Sequence, residues 1–353
     1  MQSIIGWDVG GAHLKAARAE GDRIVDVVQS PCPLWLGLDR LTDALDVVTA
    51  RLGVAERHAA TMTAELADIF PDRAEGVATL ASMLARHLHP AIVRIYGGRA
   101  GFLPVEAASA HVDDIASANW HASASLAARF VGNALFVDMG STTTDIVPLS
   151  GGRVCASGYT DAERLACGEL VYTGLTRSFV MALTPRAPMA GAWTTLACEY
   201  FANTADVYRI LGELPDDADQ LPTADHREKT VAASIGRLAR MVGRDAASAD
   251  QAAWRELAAW FAEAQLRQIF DGAHVVLSRL VVRGAAPVIA AGVGRHVVAR
   301  LAARLGRPCL DFAELVSAGA GTGEWAGFCA PAVAVALLAE KDAAASSPCV
   351  DHR

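Results

Sequence analysis

Phe136-Val137-Asp138-Met139-Gly140-Ser141-Thr142-Thr143-Thr144-Asp145-Ile146 is the stretch on which the reading of this chain turns. An apolar run reaches Asp138, the chain reverses on Gly140, hydroxyl residues fill the turn, and apolar residues resume through Ile146 and Val147. That pattern predicts a β-hairpin whose tip presents backbone N–H groups, hydroxyls and a carboxylate to one point. Phosphate oxygens are held by such nests, and Mg2+ by a strand-end carboxylate beside them. Asp-x-Gly-x-Thr alone is common in surface hairpins. A second copy gives it weight: Ile5-Gly6-Trp7-Asp8-Val9-Gly10-Gly11-Ala12-His13-Leu14-Lys15. Two such hairpins imply two related halves facing each other across a phosphate.

Composition narrows the setting. With 353 residues, 52% of them hydrophobic, the chain can bury two cores of ordinary size. A net charge of −8 and no basic cluster argue against nucleic acid or an anionic membrane surface as partner. Lys15, Lys229 and Lys341 are the only lysines, so a lysine inside the first hairpin stands out. The seven cysteines are scattered and odd in number, without Cys-x-x-Cys spacing, which predicts neither zinc nor a disulfide framework. The N-terminus enters a strand directly and no apolar run reaches spanning length, so the expectation is a soluble cytoplasmic protein.

Strands are expected at 3–8, 13–19 and 23–29. A helix follows from Leu38 to Leu52, with Gly53 placed to stop it. A buried strand at 59–63, a helix at 76–88, a strand at 91–96 and a mostly helical run at 105–130, kinked near Asn119-Trp120, complete a first unit. The order then restarts with strands at 135–137, 144–149 and 153–158 and a helix from Ala162 to Thr173, stopped by Gly174. Turns or an edge hairpin are expected at 176–198, around Pro185 and Pro188, and a helix from Glu199 to Leu211. The acidic, aperiodic stretch 213–227 reads as a loop that orders or moves when ligand binds. Helices at 234–241 and 252–282 and a strand at 287–291, ending in Gly292-Val293-Gly294, come next. A helix at 295–305, a strand at 309–312, a last helix at 331–340 and a disordered tail from Asp342 finish the chain.

Asp8 and Asp138 each end a buried strand before a glycine turn. Each can be an Asx-type cap of its own turn; as a matched pair they read as holders of a hydrated Mg2+. Gly10, Gly11 and Gly140 let backbone approach phosphate oxygens, and Ser141, Thr142 and Thr143 can donate hydroxyl hydrogen bonds. Asp145 reads as a brace of the hairpin. Lys15 reads equally as a neutraliser of phosphate charge and as a solvated strand residue; His13 is a weaker candidate. Glu65 and Asp68 follow a buried strand, and Asp161 takes the N-cap place of the helix from Ala162 with Arg164 one turn inside; helix-terminal acids are the alternative reading for all three. Trp120, next to Asn119, is read as core or site. Arg237, Arg240 and Arg244 share one helix face, either solvated or turned to a diphosphate. Gly292 and Gly294 separate a strand from a helix, where a nucleotide or diphosphate can rest on the helix N-terminus.

The paired hairpins resemble the phosphate loops of the actin/hexokinase-like superfamily. Five further blocks are similar to its hydantoinase/oxoprolinase-related branch: 61–68, 117–120, 158–165, 168–174 and 237–241. The resemblance runs to about Ala336. It implies two α/β, ribonuclease H-like domains with an interdomain cleft: 1–130, 131–330 with helical additions, a final helix at 331–341 packing back on the first, and a tail at 342–353. It further implies a transferase of methanofuran or methylofuran biosynthesis, within tetrahydromethanopterin-linked one-carbon metabolism. Such an enzyme joins an aminomethyl-furanmethyl diphosphate to a glutamyl-tyramine or tyrosine phenol and releases pyrophosphate. Mg2+ would sit on Asp8 and Asp138, and Glu65 or Asp161 would take the phenol proton. The partners are then a small-molecule diphosphate donor and a phenolic acceptor, with a homodimer left open. An ATP-dependent kinase or oxoprolinase/hydantoinase-type amidohydrolase is the alternative, and a non-catalytic nucleotide sensor a third. The segment 292–294 corresponds to the superfamily's adenosine motif but is short and lacks a side-chain ribose ligand.

Overall fold

The first hairpin is the centre of a seven-stranded sheet. β1 (Ser3–Val9) pairs antiparallel with β2 (His13–Glu20), and β2 with β3 (Arg23–Pro31). On its other flank β1 runs parallel to β4 (Arg57–Met62), and β4 to β5 (Ile92–Tyr96). β6 (Phe102–Pro104) closes one edge, and Ser317–Ala318, from far downstream, closes the other beside β3. The computed structural model describes residues 3–346, with side chains as far as Asp342.

The second hairpin rebuilds the same order. β7 (Ala134–Met139) pairs antiparallel with β8 (Thr144–Ser150), which carries the short strands β9 (Arg153–Val154) and β10 (Leu170–Val171) on its outer side. A separate hairpin follows, β11 (Arg186–Met189) with β12 (Ala192–Thr195), as expected of 176–198. β13 (Val288–Ala291) then lies parallel to β7, and β14 (Cys309–Asp311) parallel to β13. An antiparallel meander followed by parallel strands, present twice, is the actin/hexokinase-like arrangement. Every residue of β7, and all of β1 after Ser3, is buried, because helices cover both faces of a central strand.

Local chemistry explains most element ends. The helix Asp39–Leu52 buries Leu41, Leu45, Val48 and Leu52 on one stripe, and Gly53, at φ +72°, donates its N–H to the Thr49 carbonyl. Several expected elements are shorter. The helix expected at 162–173 spans only Asp161–Ala166, because Gly168, at φ +76°, turns the chain against Gly272 and Val275 and sends Leu170–Val171 to the edge of β8. Its N-cap is Thr160, in a capping box with Glu163, rather than Asp161. The third strand expected at 153–158 stops at Val154. The helix expected from Glu199 starts at Thr204, where Asn203 and Asp206 form another capping box. The run 105–130 breaks at Ala116–Ala118, where Ser117 takes φ +53°. The long helix is Gln251–Leu277.

The segment 213–227 is tied down rather than loose. Asp219 pairs with Arg209 and Lys229, and Asp225 with Arg237 at 3.0 Å. The last helix, Ala330–Ser346, outruns its expected end, so the expected tail is helical as far as residue 346; the rest of it lies outside the described residues.

That helix lies against β1, β2, β4 and the helix Asn119–Phe130. Contact is close enough that a Cβ on Gly6 would sit 2.6 Å from the Ala336 nitrogen. Gly6→Ala is therefore expected to destabilise the protein by about 1–3 kcal/mol through overpacking, read as a lower melting temperature; an unchanged melt would show that the helix is not seated on β1.

Candidate active site

The two hairpins share one turn geometry. Gly10 N–H donates to the His13 carbonyl at 3.1 Å, and Gly140 N–H to the Thr143 carbonyl at 2.9 Å. Across the strands Asp8 faces Lys15, and Asp138 faces Asp145. Both tips line a cleft of about 420 Å³, together with Asp161, Ser117 and Arg164. The structure thus brings Asp8, Gly10, Gly11, Lys15, Asp138, Gly140, Ser141, Thr142, Thr143 and Asp161 to one place. His13, Asp68, Asn119 and Trp120 line it too.

Glu65, Gly292 and Gly294 do not line it. Glu65 lies behind Ser117. Gly292 and Gly294 pack on the end of β7: a Cβ on Gly292 would collide with Met139 and Asp138, and Gly294 N–H donates to the Met139 carbonyl. Arg237 also lies outside the cleft, buried against Asp206 at 2.7 Å and Asp225, so neither the solvated face nor the diphosphate-facing one describes it.

Three ion pairs organise the charges of the cleft. Lys15 Nζ lies 3.4 Å from Asp8 Oδ2, Arg164 lies 2.8 Å from Asp145, and Arg73 reaches Asp161 at 2.8 Å. Arg164 also lies over the Trp120 ring, 3.9 Å from its centroid, so Asp145 is a brace whose loss would strand a buried cation. Asp138 has no hydrogen-bond or ion-pair partner among the described residues, and Asp8 Oδ1 is buried without one. Burial, then the neighbouring Asp145 charge, pushes the Asp138 carboxyl up to about 7. Burial raises Asp8 as well, against the pull of Lys15. Burial works against the Lys15 ammonium, but Asp8, Cys329 and Asp138 outweigh it and hold its pKa above the ordinary value.

This donor set fits Mg2+. Two buried strand-end carboxylates share the single positive charge of Lys15, and one has an orphaned oxygen. A hard cation that keeps most of its waters needs only one or two protein carboxylates. Among the described residues no group of three or more His, Cys, Asp or Glu side chains is placed to hold a metal ion.

Behind the loops lies a second constellation. Ser117 Oγ is 3.0 Å from Glu65 Oε1 and 3.1 Å from Asp161 Oδ2. A hydroxyl has one proton, so it donates to only one of the two, and the other contact requires a proton on a carboxyl. Arg73 stabilises Asp161 as the anion, which leaves that proton on Glu65. Burial, reinforced by the Asp161 charge, raises Glu65 to about 7, consistent with this assignment.

Arg177 and Trp35 also line the cleft and carry no signal of their own in the sequence, while Tyr172 falls in the block 168–174. Gly174, read as a helix stop, is the one sign of the segment that carries Arg177. A Cβ there would meet Thr142 N at 2.5 Å, so glycine is what lets the segment 174–177 lie on the second loop.

Residues 56–341 match the hydantoinase/oxoprolinase family, and the chain belongs to that family. Within it, the chain is similar to (4-{4-[2-(gamma-L-glutamylamino)ethyl]phenoxymethyl}furan-2-yl)methanamine synthase of Methanocaldococcus jannaschii. The two are 34% identical over 243 residues, 69% of this chain and 72% of that protein. The enzyme of the same name from Methanococcus vannielii is 34% identical over 113 residues, 32% of this chain and 50% of its own. Among solved structures, a nucleotide-free acetone carboxylase superposes with a TM-score of 0.52 at 10% identity, covering 95% of this chain and 70% of that one; the likeness is one of fold. No described helix is long and apolar enough to cross a membrane.

Because Glu65 titrates near 7 instead of 4.5, the folded protein binds its proton more tightly than the unfolded chain does. The stability it contributes is complete below about pH 4.5 and is lost as pH rises towards 7. Glu65→Gln is expected to flatten the fall in melting temperature between about pH 5 and 7.5. An unaltered slope would show that Glu65 does not hold the shared proton.

Proposed function

We propose that this chain is a transferase that forms an aryl ether by displacing diphosphate from an aminomethyl-furanmethyl diphosphate. The acceptor is the phenol of a glutamyl-tyramine or tyrosine derivative, and the product serves methanofuran or methylofuran assembly. The relatives' name describes such a phenoxymethyl-furan ether. The observation that carries the reading for this chain is one cleft holding two phosphate-type loops, two under-neutralised carboxylates and, beside them, Asp161 paired with Arg73.

In the reaction the bond from the furan CH₂ to the diphosphate oxygen breaks and the diphosphate leaves with the electron pair. The phenol oxygen bonds to that CH₂ and its proton passes to Asp161. The furan ring spreads the positive charge that develops on the CH₂. The Gly11 backbone N–H, with the Ser141, Thr142 and Thr143 hydroxyls, holds the departing oxygens, while the Gly10 and Gly140 N–H groups close their own turns. Mg2+, carried by Asp8 and Asp138, would supply positive charge against the same oxygens. A phenol with pKa about 10 needs a base as its bond forms. Asp161 faces the cleft with Arg73 beside its carboxyl group, while Glu65, through Ser117, holds its orientation and the spare proton.

The ATP-dependent alternatives require a seat for adenine and ribose. Gly292 and Gly294, the segment that would form it, pack against Met139 and leave the cleft without them.

Furanmethyl diphosphate and the phenolic acceptor, incubated with enzyme and Mg2+, are expected to yield ether and pyrophosphate without ATP. Asp8→Asn and Asp138→Asn should each weaken Mg2+-dependent pyrophosphate binding by about tenfold or more. Asp161→Asn should leave that binding intact and lower kcat by about 100-fold or more. Strict dependence on ATP, or ADP appearing in step with product, would replace this reading with the ATP-dependent one.

A further inference from the structure

Arg177 is the cleft cation left over once the others are paired. Its guanidinium donates to Thr142 Oγ1 at 3.3 Å, and no described carboxylate lies within ion-pairing distance. The buried arginines elsewhere behave differently: Arg164 holds Asp145, and Arg237 holds Asp206. A half-buried guanidinium whose contacts are one hydroxyl and one ring has lost hydration without gaining an ion-pair partner.

Its placement depends on both halves of the molecule. Arg177 N–H donates to the Ser141 carbonyl at 2.9 Å, fixing the residue on the second loop. Its side chain crosses to Trp35, 5.1 Å from the ring centroid. Trp35 belongs to the first half, where Leu34 N–H donates to the Gly11 carbonyl at 3.0 Å. His13, on the first loop, lines the same cleft and is about 5% exposed, with its Nε2 buried and unpartnered. Lys15, Arg177 and Lys229 all act on that imidazole, so positive potential converges beside an unused polar atom.

We infer that Arg177, with Thr142 and His13, forms an anion subsite that takes the outer phosphoryl group of the diphosphate and holds it across the two loops. The inference rests on the diphosphate reading above and adds the residue that clamps the leaving group. Its position at the meeting of the halves makes the contact sensitive to their spacing, which a loop N–H group on one half is not.

The test is titration calorimetry of wild type, Arg177→Met and Arg177→Lys with inorganic pyrophosphate plus Mg2+, and with glutarate as a carboxylate probe for the acceptor's glutamyl end. Wild type should bind pyrophosphate. Arg177→Met should raise the Kd by about tenfold or more, with Arg177→Lys intermediate and glutarate binding unchanged. Equal pyrophosphate affinity in wild type and Arg177→Met would overturn the inference while leaving the diphosphate reading in place. Loss of glutarate binding in place of pyrophosphate binding would also overturn it, moving Arg177 to the acceptor end. No pyrophosphate binding in wild type would overturn the diphosphate reading and, with it, this assignment. Matched melting curves for Arg177→Lys and wild type separate the effect from misfolding.

Discussion

Two carboxylates placed at the ends of two central strands, with too little positive charge around them, set the terms for this molecule. Ionising Asp8 and Asp138 in that position is costly, as the upward shift of both shows. The cost is structural as well as local, because each strand is covered on both faces and cannot move its terminus into water. Lys15 pairs with Asp8 and acts only through space on Asp138, which has no ion pair of its own among the described residues. The free protein therefore holds a built-in demand for cationic ligand at one point and, at Arg177, for anionic ligand nearby. The metal–diphosphate pair proposed above would meet both demands at once.

The two halves share a turn but diverge where it matters chemically. The position of Lys15 in the first hairpin is taken by Asp145 in the second. A lysine relieves its own loop's carboxylate. An aspartate instead recruits Arg164, and through it Trp120 and the wall that carries Asp161. One exchange of sign thus separates a loop that neutralises itself from a loop that organises the Arg164–Trp120 wall of the cleft.

The hairpins and the doubled strand order were legible in the sequence because alternation, glycine turns and strand-end acids are local signals. Asp8 and Asp138 could be paired from their matched contexts alone. Ser117 could not be read, since its role comes from φ +53° and from two carboxylates that are 52 and 44 residues away in sequence. Gly174 looked like a helix stop because glycine serves both ends and close approaches, and only the folded loop shows which. The segment 292–294 was placed correctly between strand and helix, yet its glycines serve contact with Met139. Spacing shows where backbone comes close but not what it comes close to.

The seating of Ala330–Ser346 has a consequence for how the chain is made. Ile4, Ala17 and Ala19 of the first sheet share one apolar cluster with Ala332, Val335 and Ala336. A ribosome delivers the sheet long before the helix that covers it, and Ser317–Ala318, which completes its edge, comes almost as late. The usual order, in which an N-terminal unit folds while the remainder is still being synthesised, is closed to this half. Its apolar face is covered only once Ala330–Ser346 has been made, so closing this half is a contact between segments far apart in sequence.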